Sequence, residues 1–208
     1  DANADAQTRV IKFTGTGRAF CAGDDRKEPN YPETEAAARE FAEAIQDMTR
    51  AIVCGDKVVV GAINGWAVGG GFELAINCDF PIWAESAKGF FPEVSLNASV
   101  TGGVSKLLPL MTGLNAAREL LFLGEAQDAR RLLELGVAWK VVADSALQET
   151  ADHIAKRLSE QPPAAMAAMK RLIHMSHLRD MPAPLEAEKE MLVERLLDPD
   201  TRLRIEGF

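Results

Sequence analysis

The stretch Asn64-Gly65-Trp66-Ala67-Val68-Gly69-Gly70-Gly71-Phe72-Glu73-Leu74-Ala75-Ile76-Asn77-Cys78-Asp79 decides how this chain is read. An apolar run, Val58-Val59-Val60-Gly61-Ala62-Ile63, leads into it with the length and content of a buried strand. Three glycines then break the pattern, and residues 72–78 have the apolar spacing of a short helix. Consecutive glycines let backbone N–H groups approach a ligand with no Cβ in the way. A helix start adds unpaired donors and the positive end of the dipole, which suits an oxygen gaining negative charge. Glu73 follows within one turn of those donors, so an acid or base stands beside a place for an oxyanion.

The same features also have a plain structural reading. Gly-rich strand-to-helix turns are common in α/β proteins, and a carboxylate in a first turn stabilises the dipole with no chemistry involved. Two further stretches shift the balance. Upstream, Thr14-Gly15-Thr16-Gly17-Arg18-Ala19-Phe20-Cys21-Ala22-Gly23-Asp24-Asp25 follows the β-like run Val10-Ile11-Lys12-Phe13 and also ends on small residues and a glycine. Downstream, Phe90-Phe91-Pro92-Glu93-Val94 carries a second carboxylate in an aromatic-flanked segment.

Together the three blocks resemble the crotonase (enoyl-CoA hydratase/isomerase) family. The resemblance rests on Gly17-Arg18-Ala19-Phe20-Cys21-Ala22-Gly23-Asp24-Asp25, on Ala62-Ile63-Asn64-Gly65, on Gly69-Gly70-Gly71-Phe72-Glu73-Leu74-Ala75 with Cys78-Asp79, and on Phe91-Pro92-Glu93. Order and spacing agree from about residue 10 to 142. The resemblance implies an α/β fold, a crotonase-like spiral of β-β-α units over residues 1–142, followed by a helical oligomerisation region over 143–208. Relatives carry a first strand and helix ahead of residue 1, so the chain as given is expected to lack its beginning; its end resembles a point where relatives continue.

The resemblance also implies an acyl-CoA substrate and a set of roles. The oxyanion donors would be the backbone N–H groups of Asp24 and Gly70, and the catalytic pair Glu73 and Glu93. Ala22, Gly23, Ala62, Gly69 and Gly71 would lie along the bound thioester. Arg26 and Lys27, just after the first glycine turn, could meet phosphates of CoA, although exposed loop cations are commonly only solvated. Two preorganised donors are what an α,β-unsaturated thioester needs as its carbonyl oxygen takes enolate charge, and losing one typically costs about 2.7–4 kcal/mol of barrier. Two carboxyls at one site push their pKa values apart, so one can start ionised and the other protonated. In that division Glu73 activates the water and Glu93 delivers the proton.

A hydratase-type lyase is therefore the expected activity, using neither metal nor redox cofactor. A double-bond isomerase of the same fold, needing one carboxylate, and a non-catalytic scaffold or RNA-associated relative are the competing readings. Composition bears on these. The 208 residues suffice for one compact domain and a helical appendage, and the formal charge of −8 opposes a nucleic-acid partner. No apolar run reaches the roughly 20 residues that span a bilayer. Cys21, Cys54 and Cys78 have no metal spacing and fit a reducing, cytoplasmic compartment. His153, His174 and His177 sit late in the chain, where solvent-facing histidines outweigh a metal pair.

Other elements follow from pattern. Thr34 is a candidate N-cap for a helix over residues 35–53, whose face Phe41, Ile45, Met48 and Ile52 reads as core. Residues 80–84 read as a strand, 115–123 and 127–135 as amphipathic helices, and 136–142 as a returning strand. A helix opens at Gly102-Gly103, preceded by Asn97-Ala98-Ser99-Val100-Thr101 where relatives often have Pro-Gly-x-Gly-Gly. Beyond Ser145 the prolines divide the chain into about three helices. Their apolar faces, among them Ile154, Leu158, Met166, Met169 and Ile173, point to assembly, and the resemblance implies a homotrimer or hexamer.

Overall fold

A computed structural model describes residues 2–23 and 31–207. The chain opens with strands β1 (Val10–Thr14) and β2 (Ala19–Cys21), then helix α1 (Glu35–Val53). The pattern repeats as β3 (Val58–Ile63), β4 (Trp66–Val68) and α2 (Gly70–Asn77). Strands β5 (Phe80–Ala84) and β6 (Lys88–Phe90) follow, then a 3-10 turn at Glu93–Leu96 and helix α3 (Val104–Thr112). Helix α4 (Leu114–Arg118) continues as a π-turn at Glu119–Leu123, and β7 (Gln127–Asp128), α5 (Ala129–Glu134) and β8 (Lys140–Val142) complete the sheets. Helices α6 (Leu147–Ser159), α7 (Pro163–His177), α8 (Pro182–Leu196) and α9 (Pro199–Gly207) end the chain.

Each early turn gives one strand to each of two sheets. One sheet has the order β1-β3-β5-β8 with all pairs parallel; the other runs β2-β4-β6-β7, antiparallel only at β6–β7. Two four-stranded sheets filled alternately form a spiral of β-β-α units, and the single doubly wound sheet is excluded. β3 is central in its sheet and buried along its whole length, which is why it reads as one uninterrupted apolar run.

The main core lies between the sheets and the helices, with Trp83, Phe72, Phe91, Ile63 and Ile82 fully enclosed. Phe72 meets the Trp83 ring edge-on at 5.9 Å and the Phe91 ring at 4.7 Å. Gly89 makes room, since a Cβ there would stand 2.8 Å from the Phe72 ring. These contacts fix the rotation of α2, and with it the direction of Glu73.

Thr34 caps α1 as expected, its hydroxyl accepting the Ala37 N–H at 3.2 Å. The buried face of α1 shares only Ile52 with the expected one. It consists of Ala38, Ala42, Gln46, Thr49, Ile52 and Val53, while Phe41 and Ile45 are only partly covered and Met48 is 41% exposed. Small residues let α1 approach α8 closely, at Leu192, Val193 and Leu196, and Gln46 and Thr49 bond Leu185 and Asn77. The larger side chains are left facing a cavity.

Three other boundaries move. Residue 127 starts no helix: Gln127–Asp128 pairs with Lys88–Gly89, and Asp128 caps α5 by accepting the Arg131 N–H at 2.8 Å. The returning strand is shorter than residues 136–142, because Gly136 to Ala138 fold back onto Leu132 and Leu133 as the C-terminal turn of α5. The tail forms four helices rather than about three, since Pro199 opens a helix at its first position instead of ending one.

Helix α7 is held by one buried cation. Lys170 is 5% exposed and donates to the carbonyls of Ile52 and Lys57 at 2.8 and 2.9 Å and to Asp79 at 2.6 Å. Lys170→Met would take the cation from all three acceptors and leave Asp79 with the Val59 N–H, which it accepts at 2.8 Å. It should cost stability near the lower end of the roughly 3–5 kcal/mol seen for broken buried pairs, because Asp79 keeps some contact with water. The urea midpoint measures it, and an unchanged midpoint would refute the assignment.

Candidate active site

The two glycine blocks meet backbone to backbone. A Cβ on Gly65 would lie 2.2 Å from the Arg18 carbonyl oxygen, and one on Gly71 would lie 2.0 Å from that of Cys21. Asn64 ties the same segments, donating to Gly17 and Ala19 and accepting the Gly15 N–H at 2.9 Å. The segment ending in Ala22 and Gly23 is thereby laid against Gly69, Gly70 and Gly71.

The three glycines of the central block have different jobs. Gly69 has φ +54°, and a Cβ there would stand 2.8 Å from Glu93 Oε1. Gly71 is required by the contact with Cys21. Of the three, only Gly70 has none of the described residues within 4 Å of its Cβ position. At the first position of α2, its N–H makes no hydrogen bond to the described residues.

A cavity of about 350 Å³ lies in front of these glycines. Ala22, Gly23, Gly69, Gly70, Gly71, Glu73 and Glu93 all line it, so seven of the expected site residues share one space. Ala62 does not belong to it. Its side chain is fully buried inside the parallel sheet in β3, none of whose residues lines the cavity. Asp24, Arg26 and Lys27 lie outside the described residues.

Glu73 is 3% exposed, and its Oε1 and Oε2 accept the N–H groups of Thr101 and Gly102, each at 2.9 Å. Burial pushes its pKa well above the usual carboxylate range and the charges of Glu93 and Glu188 push it further, while the two amide donors pull it back. Gly102 permits the contact, since a Cβ there would stand 2.7 Å from Glu73 Oε2. Glu93 sits at the start of the 3-10 turn that Pro92 precedes, and burial raises its pKa as well. Its Oε2 is buried with no hydrogen-bond partner among the described residues. The turn ends at Asn97 in the left-handed region, φ 56°, a conformation that asparagine tolerates.

The far wall was not foreseen from sequence. Phe41, Ile45 and Met48 of α1, Leu192 and Leu196 of α8, and Ile205 of α9 close the cavity with apolar side chains. The signal was present in α1: its large apolar stripe sits one residue ahead of a stripe of small ones, and close helix packing takes the small ones. One end of the cavity thus presents an amide donor and two carboxyls, and the other an apolar pocket. Among the described residues no cluster of histidine, cysteine or acidic groups could hold a metal ion, and no helix is long and apolar enough to cross a membrane.

The chain is similar to known proteins in both sequence and fold. A sequence profile described as Enoyl-CoA hydratase/isomerase matches residues 1–207. The short-chain-enoyl-CoA hydratase of Clostridium acetobutylicum is 30% identical over 98% of this chain and 78% of its own length. The 1,2-epoxyphenylacetyl-CoA isomerase of Escherichia coli is 31% identical over 89% of this chain and 72% of its own. An enoyl-CoA hydratase structure from Bacillus halodurans superposes with a TM-score of 0.90 over 99% of this chain and 84% of that one, at 26% identity.

Proposed function

Because the chain belongs to the enoyl-CoA hydratase/isomerase family, we propose that it adds water across the double bond of an α,β-unsaturated acyl-CoA thioester. The observation that carries this reading is the unequal bonding of two buried carboxyls on one cavity. Glu73 receives two amide donors, which offset only part of the burial and of the Glu93 and Glu188 charges that push its pKa up to about 8, whereas Glu93, pushed up to about 7 by burial, has an oxygen without a partner among the described residues. Two such groups cannot both ionise cheaply, so one proton stays with the pair. Burial and charge raise Glu73 the further, but both its oxygens already accept amide N–H groups and the free Glu93 oxygen has room for a proton, and we place it on Glu93.

The steps then follow. The thioester carbonyl oxygen accepts the N–H of Gly70 and, as the resemblance implies, that of Asp24. Glu73 takes a proton from water as its oxygen bonds to Cβ. The π electrons move through Cα toward the carbonyl, and Glu93 returns a proton to Cα. The product is the 3-hydroxyacyl thioester, and proton exchange resets the two carboxyls. CoA arrives as part of the substrate, and the scheme uses no redox cofactor and no metal. The apolar far wall suits an aliphatic acyl chain.

The test is the loss of conjugated-thioester absorbance with crotonyl-CoA and longer enoyl-CoA thioesters. Hydration of at least one of them is expected. Migration of the double bond without water uptake would replace this reading with the isomerase one.

We further propose that the C-terminal helices support self-assembly. Met169, Leu172, Ile173 and Met175 of α7 stand more than half exposed, whereas Ile154 and Leu158 pack on this chain's own core. Sedimentation should show a trimer or hexamer at micromolar concentration; a monomer alone would refute it.

A further inference from the structure

A third buried carboxylate stands behind the pair and takes no part in the scheme above. Glu188 on α8 is 5% exposed, and its Oε2 and Oε1 accept the N–H groups of Gly103 and Ser105, both at 2.8 Å. The neighbouring amides of Thr101 and Gly102 go to Glu73. Four donors within five residues are thus divided between two buried carboxylates carried on different helices. Gln46 of α1 closes the same knot, donating to the Leu185 carbonyl at 2.5 Å and to that of Thr101 at 3.4 Å.

We propose that Glu188 is a positioning residue for Glu73: from α8 it holds the 101–105 loop whose amides aim the Glu73 carboxylate into the cavity. This rests on the hydratase reading for its catalytic consequence, though not for the coupling itself. A plainer role exists, because Glu188 also caps α3. Gly103, at the cap position, cannot carry a capping side chain: its φ is +74° and a Cβ would stand 2.1 Å from Met181 Cε. A cap, however, would leave the chemistry at Glu73 untouched. Positioning would not, because the loop is shared and the Glu188 charge acts on Glu73. Among the described residues, the charged groups facing Glu73 are Glu93, from the turn after β6, and Glu188, from α8.

Glu188→Gln separates the two roles. The isosteric amide keeps one acceptor and removes the charge. If Glu188 positions Glu73, kcat falls by up to about 10²-fold, the loss typical of a catalytic group displaced by an ångström, while KM is held. Removing a negative charge makes Glu73 easier to ionise, so the acid limb of the kcat profile moves to lower pH. The Gly102 amide resonance, which reads Glu73 directly, has its titration midpoint lowered with it. A variant that loses thermal stability with kcat unchanged overturns the proposal whichever way the midpoints move, because the Glu188 charge reaches Glu73 in either role. If the variant does not fold, the parent protein decides: the Gly102 and Gly103 amides must titrate with common midpoints, as coupled sites do, and independent midpoints overturn the proposal. The amide titration needs no turnover, so a chain that hydrates no enoyl-CoA would refute the hydratase reading while leaving this coupling testable.

Discussion

Glu73→Gln and Glu93→Gln should each lower kcat for enoyl-CoA hydration by about 10²–10⁴-fold, the usual contribution of one general acid or base. Thioester binding should persist in both, because the Gly70 donor and the apolar wall remain. The double variant should lose far less than the product of the single losses, since both groups act on one transition state. An isomerase would give one nearly inactive variant and one mildly impaired. Hydration by Glu73→Gln at close to the parent rate would remove Glu73 from the scheme.

The same variants carry a stability signature whose sign can be worked out. Burial raises the Glu93 pKa from an ordinary value of 4.5 to about 7. The folded state therefore holds that proton across an interval where the unfolded chain has lost it. Its stabilising effect is complete below the unfolded pKa and is lost as pH rises through the folded one. Above that point the parent must bury an anion whose Oε2 has no partner among the described residues. Glu93→Gln removes this penalty, so its thermal midpoint should exceed the parent's near pH 9, with the gap closing toward pH 5. A midpoint below the parent's at both pH values would show that Glu93 gains more from its surroundings than its bonding indicates.

Gly71→Ala and Gly70→Ala should behave oppositely, although the residues are neighbours. At Gly71 the added methyl would lie 2.0 Å from the Cys21 carbonyl oxygen, a backbone atom that cannot move without separating the two glycine blocks. Overpacking of this kind typically costs about 1–3 kcal/mol, and here it also shifts the segment carrying Ala22 and Gly23. At Gly70 the methyl meets none of the described residues within 4 Å. That substitution should leave stability within about 0.5 kcal/mol, the range of changes away from tight contacts, and act on KM instead. Denaturation midpoints and steady-state kinetics on both variants test the contrast. Equal stability losses would mean that the segments are not packed as described.

The polar half of the cavity is legible in the sequence because its demands are local. A strand that must be buried, an amide donor at a helix start and a carboxylate one turn later are all coded within a few residues, from Val58 to Glu73. That the block ending at Ala22 and Gly23 and the segment holding Glu93 join it in one site is implied by the family resemblance rather than by any local pattern, and they do line one cavity. The contacts that close the site over long sequence distances have no such local code. Phe41, Ile45 and Met48 look like core because periodicity reports only that a helix has an apolar face; what that face meets depends on α8, near the other end of the chain. Glycines behave the same way, since a Cβ excluded by another segment's carbonyl, as at Gly71, and one that no described residue excludes, as at Gly70, have identical sequence signatures. Ala62 belongs to the sheet core for a related reason: one buried strand holds it, and strand burial takes precedence over proximity to the glycine turn. Glu188 is the extreme case, an ordinary glutamate in a charged helix until folding sets it against two amides 85 and 83 residues away.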